Sequence, residues 1–427
     1  MLNNRLRHTA LAAALPLLLA ACQSDELPAP GNGTPGNNRI AFTVEAETAT
    51  TRSYPYVGET GTAGAQHVKK VRLYIFQGSG DEAAYVEAEN ATAWSGLELV
   101  TGDKDVTGDA AQGGKGTTSK YYYLQTTLAA STTYTLLAVG YENEDIYDIR
   151  TAATGGNSLS GTAANTPMSL SSLVSTLTDG KGKTEIASHE YFTGTATVTT
   201  DGNGNLPGVE EGGLVTIAMR RRVAGVGACF RLQDFTTRPK AVAVMLWQDQ
   251  NKAVPTLRKD WQEPDFTDYT DSHTWEGNLT GADDPQCILY IPLDETAADG
   301  TSIWSEANGE YTMNVPVSAY VLPAPAPSWD NPDKNYTLCV AVYNTEGKII
   351  CTKRAALAED GQLIFNSSLG TGIIDDESFY RYPLVANRFY RFGTAKVPLA
   401  VDYDKLNPFE VVIEPNWEGM PDLDLTD

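Results

Sequence analysis

Short runs of β-branched and aromatic residues recur along the chain, and this feature constrains the fold most. Runs such as VRLYIF (71–76), YTLLAVGYE (134–142) and AVAVMLW (241–247) are bounded by Gly, Asp or Thr. Residues of these types favour strands. Many short strands with turn signals between them predict a mostly β protein built from two β-sandwiches in tandem.

One segment departs from the strand pattern. In TPMSLSSLVSTLTDG (166–180), Leu170, Leu173, Val174 and Leu177 recur with helical spacing. Thr166 can cap the N-terminus, Pro167 suits the first turn, and Gly180 suits the C-terminal end. The pattern predicts one short amphipathic helix in the first sandwich.

Charge and length limit the class of protein. The chain has 427 residues, a formal net charge of −23 and an apolar fraction of 41%. An acidic surface repels nucleic acid, so nucleic acid is not expected as a partner. The acid is dispersed among apolar residues, which indicates a folded body and not an acidic tail.

The N-terminus carries a secretory signal pattern. Arg5 and Arg7 precede an apolar run from Ala10 to Ala21 that is too short to span a bilayer. Leu19-Ala20-Ala21-Cys22 looks like a bacterial lipobox, which implies a signal peptide at 1–21 and acyl chains on Cys22. An ordinary signal peptide with a chance cysteine is the alternative. The resemblance implies an outer-membrane lipoprotein.

A flexible tether is predicted from Leu27 to Asn38, because Pro, Gly and Asn dominate LPAPGNGTPGNN. A strand follows at 40–46, in which Ile40, Phe42 and Val44 form one apolar face. The Ala/Thr-rich stretch after it ends in Arg52-Ser53. An arginine in exposed coil is a good target for a trypsin-like protease.

Four cysteines remain beyond Cys22, and none of them forms a CxxC pair. Cys339 and Cys351 flank VAVYNTEGKII, which predicts strand, turn and strand. If the turn centres near Thr345, the two thiols lie almost opposite each other, and a disulfide can form in an oxidising compartment. Two buried thiols are the alternative.

The loop TDGNGNLPGVEEGG (200–213) is the predicted boundary between the sandwiches. Asp201, Asn203 and Asn205 alternate like the start of a calcium loop. However, Leu206 and Gly212 stand where the turn glycine and the bidentate Glu belong. We therefore interpret it as a loop without a metal.

Motifs that would indicate an enzyme are absent from the sequence. It has four histidines and no HExxH, GxSxG or GxxxxGK[ST] motif, so no catalytic residue, cofactor or metal ligand is assigned. Five tryptophans fall in one third of the chain, and exposed Trp faces bind sugar rings. A monomeric glycan-binding lipoprotein is thus an alternative, although burial in a sandwich core is the commoner fate of Trp. These tryptophans are Trp247, Trp261, Trp275, Trp304 and Trp329.

Several segments, in this order, resemble the Bacteroidetes fimbrillins, the two-domain subunits of type V pili. They are the lipobox, KKVRLYIF (69–76), TTYTLLAVGYEN (132–143), HEYFTGTATVT (189–199), VTIAMRRRVAGVGACFRL (215–232), VANRFYRFGTAKVPL (385–399) and FEVVIEPNW (409–417). The resemblance implies transthyretin-like or Greek-key sandwiches. It also implies cleavage after Arg52 by an arginine-specific protease, loss of the first strand, and assembly with other fimbrial subunits by strand exchange.

A donor strand is predicted near the C-terminus. Phe409, Val411 and Ile413 form one apolar face of NPFEVVIEPNW, and residues 395–417 could form a projecting hairpin. The alternative is that 409–415 is the last strand of the second sandwich.

These interpretations divide the chain into four parts. They are the signal peptide at 1–21, the tether with its removable strand at 22–52, and sandwiches at 53–213 and 214–427. A stalk or tip subunit of a cell-surface fimbria is the leading interpretation. A membrane-retained anchor subunit is the alternative within the family.

Overall fold

The architecture is taken from a computed structural model of the chain. It describes residues 38–44, 68–80, 83–103, 118–142, 146–151, 158–178, 181, 183–208, 213–246, 253–255, 287–297, 300–323, 338–357, 384, 386, 389–403 and 409–414. The N-terminal signal, Cys22, Arg52 and Ser53 lie outside these residues.

The N-terminal half of the described chain is built from strands and one short helix. The strands are β1 (Arg39–Val44), β2 (Lys70–Gln77), β3 (Ala84–Ala88), β4 (Thr92–Ala93), β5 (Thr118–Tyr123), β6 (Thr133–Tyr141), β7 (Tyr147–Thr151), β8 (Thr166–Pro167), β9 (Leu173–Leu177), β10 (Tyr191–Thr199) and β11 (Val215–Arg221), and the helix is α1 (Lys183–Ser188).

The C-terminal half of the described chain is built from strands. They are β12 (Ala224–Ala228), β13 (Phe230–Gln233), β14 (Pro239–Leu246), β15 (Ala253–Pro255), β16 (Cys287–Pro292), β17 (Trp304–Ala307), β18 (Glu310–Met313), β19 (Val317–Val321), β20 (Leu338–Asn344), β21 (Ile349–Leu357), β22 (Phe389–Phe392), β23 (Leu399–Asp402) and β24 (Phe409–Glu414).

Four sheets arise from these strands within the described residues. Nine strands form one sheet in the order β5-β1-β11-β10-β6-β2-β3-β8, with β4 beside β2. Eight form a second, β16-β14-β20-β21-β24-β22-β12-β19, and four form a third, β17-β18-β13-β23. The fourth sheet, β15-β9-β7, takes strands from both halves. The protein is therefore mostly β, as the strand pattern predicts.

The change from one large sheet to the next falls later than the predicted boundary at 213. β11 pairs with β1 and β10 in the nine-stranded sheet, although a boundary at 213 places it in the C-terminal unit. The two halves also share one buried cluster, in which Tyr320, Leu322 and Phe389 pack with Tyr74 and Tyr191.

The prediction of a helix at 166–180 is wrong. Leu170 lies in a short 3-10 turn and residues 173–177 form β9, which pairs with β7 and β15. Val174 and Thr176 are β-branched and favour a strand once partners lie on both sides. The turn and strand bury Leu170, Leu173 and Val174, the residues that a helical face would have buried.

No helix of the described residues is long and apolar enough to span a bilayer.

Candidate functional site

The first strand lies inside the nine-stranded sheet, with a partner on each side. β1 runs antiparallel to β5 and parallel to β11. Ile40, Phe42 and Val44 are each 0% exposed, so the predicted apolar face is fully buried. We call the space that β1 occupies between β5 and β11 the slot.

Aromatic and aliphatic side chains form the inner floor of the slot. The ring of Phe42 lies 4.8 Å from that of Tyr122, centroid to centroid. Ile217 and Met219, from β11, belong to the same buried cluster. Removing β1 would expose this floor to water, at a cost of about 1.5–3 kcal/mol for each large apolar side chain that loses its cover.

Two buried charged residues that the sequence pattern does not indicate lie at the slot, since Lys120 belongs to β5 and Glu89 contacts Tyr122 of β5. The Lys120 ammonium donates to the Trp94 carbonyl at 3.0 Å and lies 5.1 Å from the centre of the Trp94 ring. The Glu89 carboxylate accepts from the Tyr122 hydroxyl at 2.5 Å. Burial first, and the hydrogen bond to Glu89 second, raise the pKa of Tyr122 well above its ordinary value.

The outer wall of the slot has support that does not involve β1. The amide of Tyr121 donates to the carbonyl of Glu98 at 2.7 Å, and the amide of Val100 donates to the carbonyl of Ser119 at 2.9 Å. Since β5 is paired to residues 98–100 as well as to β1, and β11 is paired to β10, both neighbours of the slot keep a partner when β1 is lost.

Asn38 closes one end of the slot, and the predicted tether does not extend to this residue. Its side-chain nitrogen donates to the carbonyl of Gly204 at 3.2 Å, and its side-chain oxygen accepts from the amide of Leu206 at 2.6 Å. Its carbonyl accepts from the amide of Leu124 at 2.9 Å. The partners are 166 and 168 residues away in sequence, so no local pattern signals these contacts.

Residues 201–206, which we call the 201–206 loop, are stabilised by hydrogen bonds to the carboxylate of Asp201. Asp201 accepts from the amides of Asn203 and Asn205 at 2.7 and 2.8 Å. Hydrogen bonds from Asn205, first from its amide and then from its side chain, lower the pKa of Asp201. The described residues contain no cluster of His, Cys, Asp and Glu that could hold a metal ion.

The predicted donor strand is a strand, but the projecting hairpin is wrong. β24 pairs in parallel with β21 and antiparallel with β22, whereas β23 pairs with β13 in another sheet. Phe409, Val411 and Ile413 therefore lie in a strand that completes the eight-stranded sheet of its own chain. This is the alternative that the sequence left open.

The predicted disulfide is absent: Cys339 and Cys351 are not joined to each other, and both are buried. The hairpin register places Cys339 opposite Arg354 and Cys351 opposite Val342. Tyr343 pairs with Ile349, so the turn centres on Glu346 and not on Thr345, and a bulge between Val342 and Tyr343 shifts the strands further. The two thiols also belong to different buried clusters.

Of the five clustered tryptophans, the described residues include Trp304. It is 5% exposed, and its indole nitrogen donates to the carbonyl of Pro292 at 2.9 Å. Its ring is therefore not displayed as a platform for a sugar. The other four lie outside the described residues.

A family model matches the part of the chain that contains the slot. Residues 31–240 match the model described as fimbrillin-A associated anchor proteins Mfa1 and Mfa2. The matched segment includes β1, both of its neighbours and the 201–206 loop. No curated protein sequence matches the chain.

Solved structures of three Porphyromonas gingivalis proteins show distant likenesses. The fimbrilin FimA shares 12% identity over 89% of this chain and 97% of its own, with a TM-score of 0.35. The anchor protein Mfa2 shares 12% over 83% and 88%, with 0.34. The C-terminally truncated tip protein Mfa3 shares 9% over 88% and 98%, with 0.34. Likenesses at these TM-scores assign no function by themselves.

Proposed function

The chain belongs to the fimbrillin family of the Bacteroidetes, and we propose that it is a structural subunit of a cell-surface fimbria, in the stalk or at the tip, that contributes to adhesion. The family consists of structural fimbrial and adhesin proteins and not of enzymes. The proposed partners of this chain are other fimbrial subunits, either further copies of the chain or different proteins.

In the proposed assembly of the fimbria, the first step is export of the subunit as a lipoprotein. The apolar run to Ala21 and the cysteine directly behind it support acylation of Cys22 after removal of residues 1–21. Two or more acyl chains hold a protein at a membrane, whereas one chain does so only marginally. The subunit is thus held at the outer membrane before it is processed.

The second step is cleavage after Arg52 by an arginine-specific protease. A new N-terminus at Ser53 lies beyond β1, so the cut separates both Cys22 and β1 from the rest of the chain. Processing in this way combines release from the membrane with loss of one strand.

The third step is strand exchange, and the burial of β1 between two partners is the observation that carries it. A released β1 leaves unpaired backbone groups on β5 and β11 and an apolar floor between them. Such an edge binds another strand. Phe409, Val411 and Ile413 of a neighbouring subunit supply three apolar side chains at matching alternation.

The proposal includes two sandwiches in tandem. One buried cluster draws its residues from positions 40–219 and another from positions 224–401, which supports a separate core for each half. Exchange at the slot then completes the first core, and the donated strand must leave its place between β21 and β22 in its own sheet.

The N-terminus of fimbriae shed from the surface tests the proposal. Mass spectrometry should find a chain that begins at Ser53, and Arg52→Ala should abolish both this terminus and polymer formation. Arg238→Ala is the control, because Arg238 is an arginine at the surface, with a side chain that is 73% exposed. An acylated Cys22 in shed polymers would contradict the proposal.

A membrane-retained anchor subunit is the second candidate, since the matching family model is described by its anchor proteins. An anchor keeps its lipid and its first strand. In that case, mass spectrometry should find acylated Cys22 in the membrane fraction, at the base of polymers that other subunits form.

A further inference from the structure

We propose that Glu89 is a positioning residue for strand exchange, because it keeps the outer wall of the slot, β5, in place after β1 has left. The inference rests on the strand exchange proposed above and adds a residue that keeps the vacant slot able to receive a strand. Glu89 follows β3 directly and acts on the slot through Tyr122 and through the residues that follow β5.

The backbone of Glu89 is attached to strands that do not depend on β1. Its amide donates to the carbonyl of Leu73 in β2 at 2.9 Å. β2 lies between β3 and β6 inside the nine-stranded sheet, and the residue is 6% exposed. The carboxylate of Glu89 therefore keeps a fixed position from which it can hold a neighbouring segment.

That carboxylate accepts three hydrogen bonds from one short segment. One oxygen accepts from the Tyr122 hydroxyl at 2.5 Å. The other oxygen accepts from the amides of Gln125 and Thr126 at 2.8 and 2.9 Å. Hydrogen bonds to a carboxylate are about twice as strong as those between neutral groups. One side chain thus ties the end of β5, and the residues directly after it, to β2.

Tyr122 connects this carboxylate with the floor of the slot. It lies opposite Ile40 in the ladder between β1 and β5, and its ring is 4.8 Å from that of Phe42, centroid to centroid. The hydroxyl is at the end of the ring that is farthest from the backbone. Its bond to Glu89 therefore fixes the ring at both ends, in the place where an apolar side chain of an incoming strand packs.

Loss of β1 removes another tie at the same end of β5. The amide of Leu124 donates to the carbonyl of Asn38 at 2.9 Å, and this acceptor leaves together with β1. The pairing of β5 with residues 98–100 remains, but it holds positions 119 and 121, farther from this end. Among the hydrogen bonds of the described residues, those to Glu89 hold this end of β5 without the help of β1.

The contribution of Glu89 therefore depends on whether the slot is occupied. In the intact chain, the β1 ladder and the Asn38 carbonyl also hold this end of β5. In the cleaved chain, loss of Glu89 would release two amides and leave the buried Tyr122 hydroxyl without its acceptor. Binding of a strand would then include the free-energy cost of ordering the wall again.

Hydrogen exchange at single amides tests the inference in wild-type protein. The full-length chain is measured before and after cleavage by an arginine-specific protease, with the released N-terminal fragment removed by gel filtration. Exchange of the Leu124 amide should accelerate roughly ten-fold after cleavage, because its acceptor has left. The amides of Gln125 and Thr126 should stay protected, because Glu89 remains. In cleaved Glu89→Ala they should lose their protection.

Binding of a strand peptide tests the consequence for the slot. A fluorescent peptide with the sequence of residues 38–44, NRIAFTV, is added to the cleaved chain and its affinity is measured by anisotropy. Glu89→Ala should weaken binding roughly ten-fold, as the loss of hydrogen bonds at one end of the wall predicts. Glu89→Gln keeps an acceptor for both amides and should restore most of the affinity.

Val242→Ala is the matched control, because Val242 is buried in the cluster of the C-terminal half and not at the slot. Urea midpoints of the uncleaved variants compare their stabilities. Val242→Ala should lower the midpoint yet leave peptide affinity unchanged. If it weakened peptide binding as much as Glu89→Ala does, the effect of Glu89 would be one of general stability, and its positioning role would be refuted.

Two further results would overturn the inference and leave strand exchange standing. One is loss of protection at Gln125 and Thr126 in the cleaved wild type, a measurement that needs no variant to fold. The other is unchanged peptide affinity in Glu89→Ala. A cleaved wild-type chain that keeps its N-terminal fragment, or that binds no peptide once the fragment is gone, would instead remove strand exchange itself.

Discussion

Burial controls the chemistry of single polar residues in this protein. Glu190 and Arg221 form an ion pair at 2.5 Å with side chains that are 0% and 2% exposed. Cys229 is fully buried, and its burial raises the pKa of its thiol to about 12. A thiol whose pKa differs between the folded and the unfolded chain makes the free energy of unfolding depend on pH.

The thiol of Cys229 predicts a loss of stability in alkali. Its pKa is about 12 in the folded chain against an ordinary value of 9.0. Below pH 9 both states hold the proton, and stability does not depend on this group. Between pH 9 and 12 the unfolded chain releases it first, so the free energy of unfolding falls by about 1.4 kcal/mol per pH unit. Urea unfolding at pH 8 to 11 measures this.

A Cys229→Ala variant separates this thiol from the tyrosines. Burial also raises the pKa of Tyr122 and Tyr191, so the wild-type slope includes these groups above pH 10. The variant should lose stability less steeply between pH 9 and 10. An identical slope in both proteins would show that Cys229 does not carry the effect.

The distance between neighbouring strands depends on small residues at the points where the strands come closest. Gly194 in β10 faces β11 so closely that a Cβ there would lie 2.0 Å from the carbonyl oxygen of Ala218. Since that neighbour is backbone, it cannot rotate away. The contact between β10 and β11, and therefore one wall of the slot, depends on this glycine.

Gly194→Ala should destabilise the protein by about 3 kcal/mol, the upper end of the usual cost of overpacking, because the added methyl group meets a fixed backbone and forces the strands apart. Gly202→Ala is the control, since a Cβ at Gly202 meets nothing within 4 Å. Urea unfolding of both variants measures the difference. Equal midpoints for the two variants would show that β10 and β11 can separate freely.

The strands themselves could be predicted, because alternation and β-branching are local. The runs at 134–142 and 241–247 correspond to β6 and β14, and the runs at 40–46 and 409–415 correspond to β1 and β24. Partners and register could not be predicted. The helical spacing at 170–177 is equally compatible with a turn followed by a strand, and only the two neighbours of β9 decide between them.

The candidate site could be predicted in part for the same reason. The apolar face of Ile40, Phe42 and Val44 is visible in the sequence, and its burial follows from it. The contacts of Asn38 join residues more than 160 positions apart, so they depend on the finished fold. The cysteine hairpin shows a similar limit, because a turn centred on Glu346 and a bulge beside it together set the register of the two strands.

For the whole molecule, the central claim is that β1 is part of the fold before cleavage after Arg52 and is lost after it. β1 is buried on its inner face, paired on both edges and tied at Asn38 to the 201–206 loop. A chain that loses it would present two walls and an apolar floor, and a neighbour's strand would restore the sheet.

A reversible lock on β1 tests this claim most directly. Thr43 and Ser119 are opposite each other, with their hydroxyl oxygens 3.1 Å apart, so cysteines at both positions lie where a disulfide can form. Full-length chain with Thr43→Cys and Ser119→Cys is oxidised and treated with an arginine-specific protease, and oligomers are measured before and after reduction. The single variants are the controls.

We expect the oxidised double variant to be cut after Arg52 yet to retain its first strand and stay monomeric, and to assemble as the single variants do once it is reduced. Assembly of the oxidised, locked protein at the wild-type level would contradict the claim that the slot must be vacated.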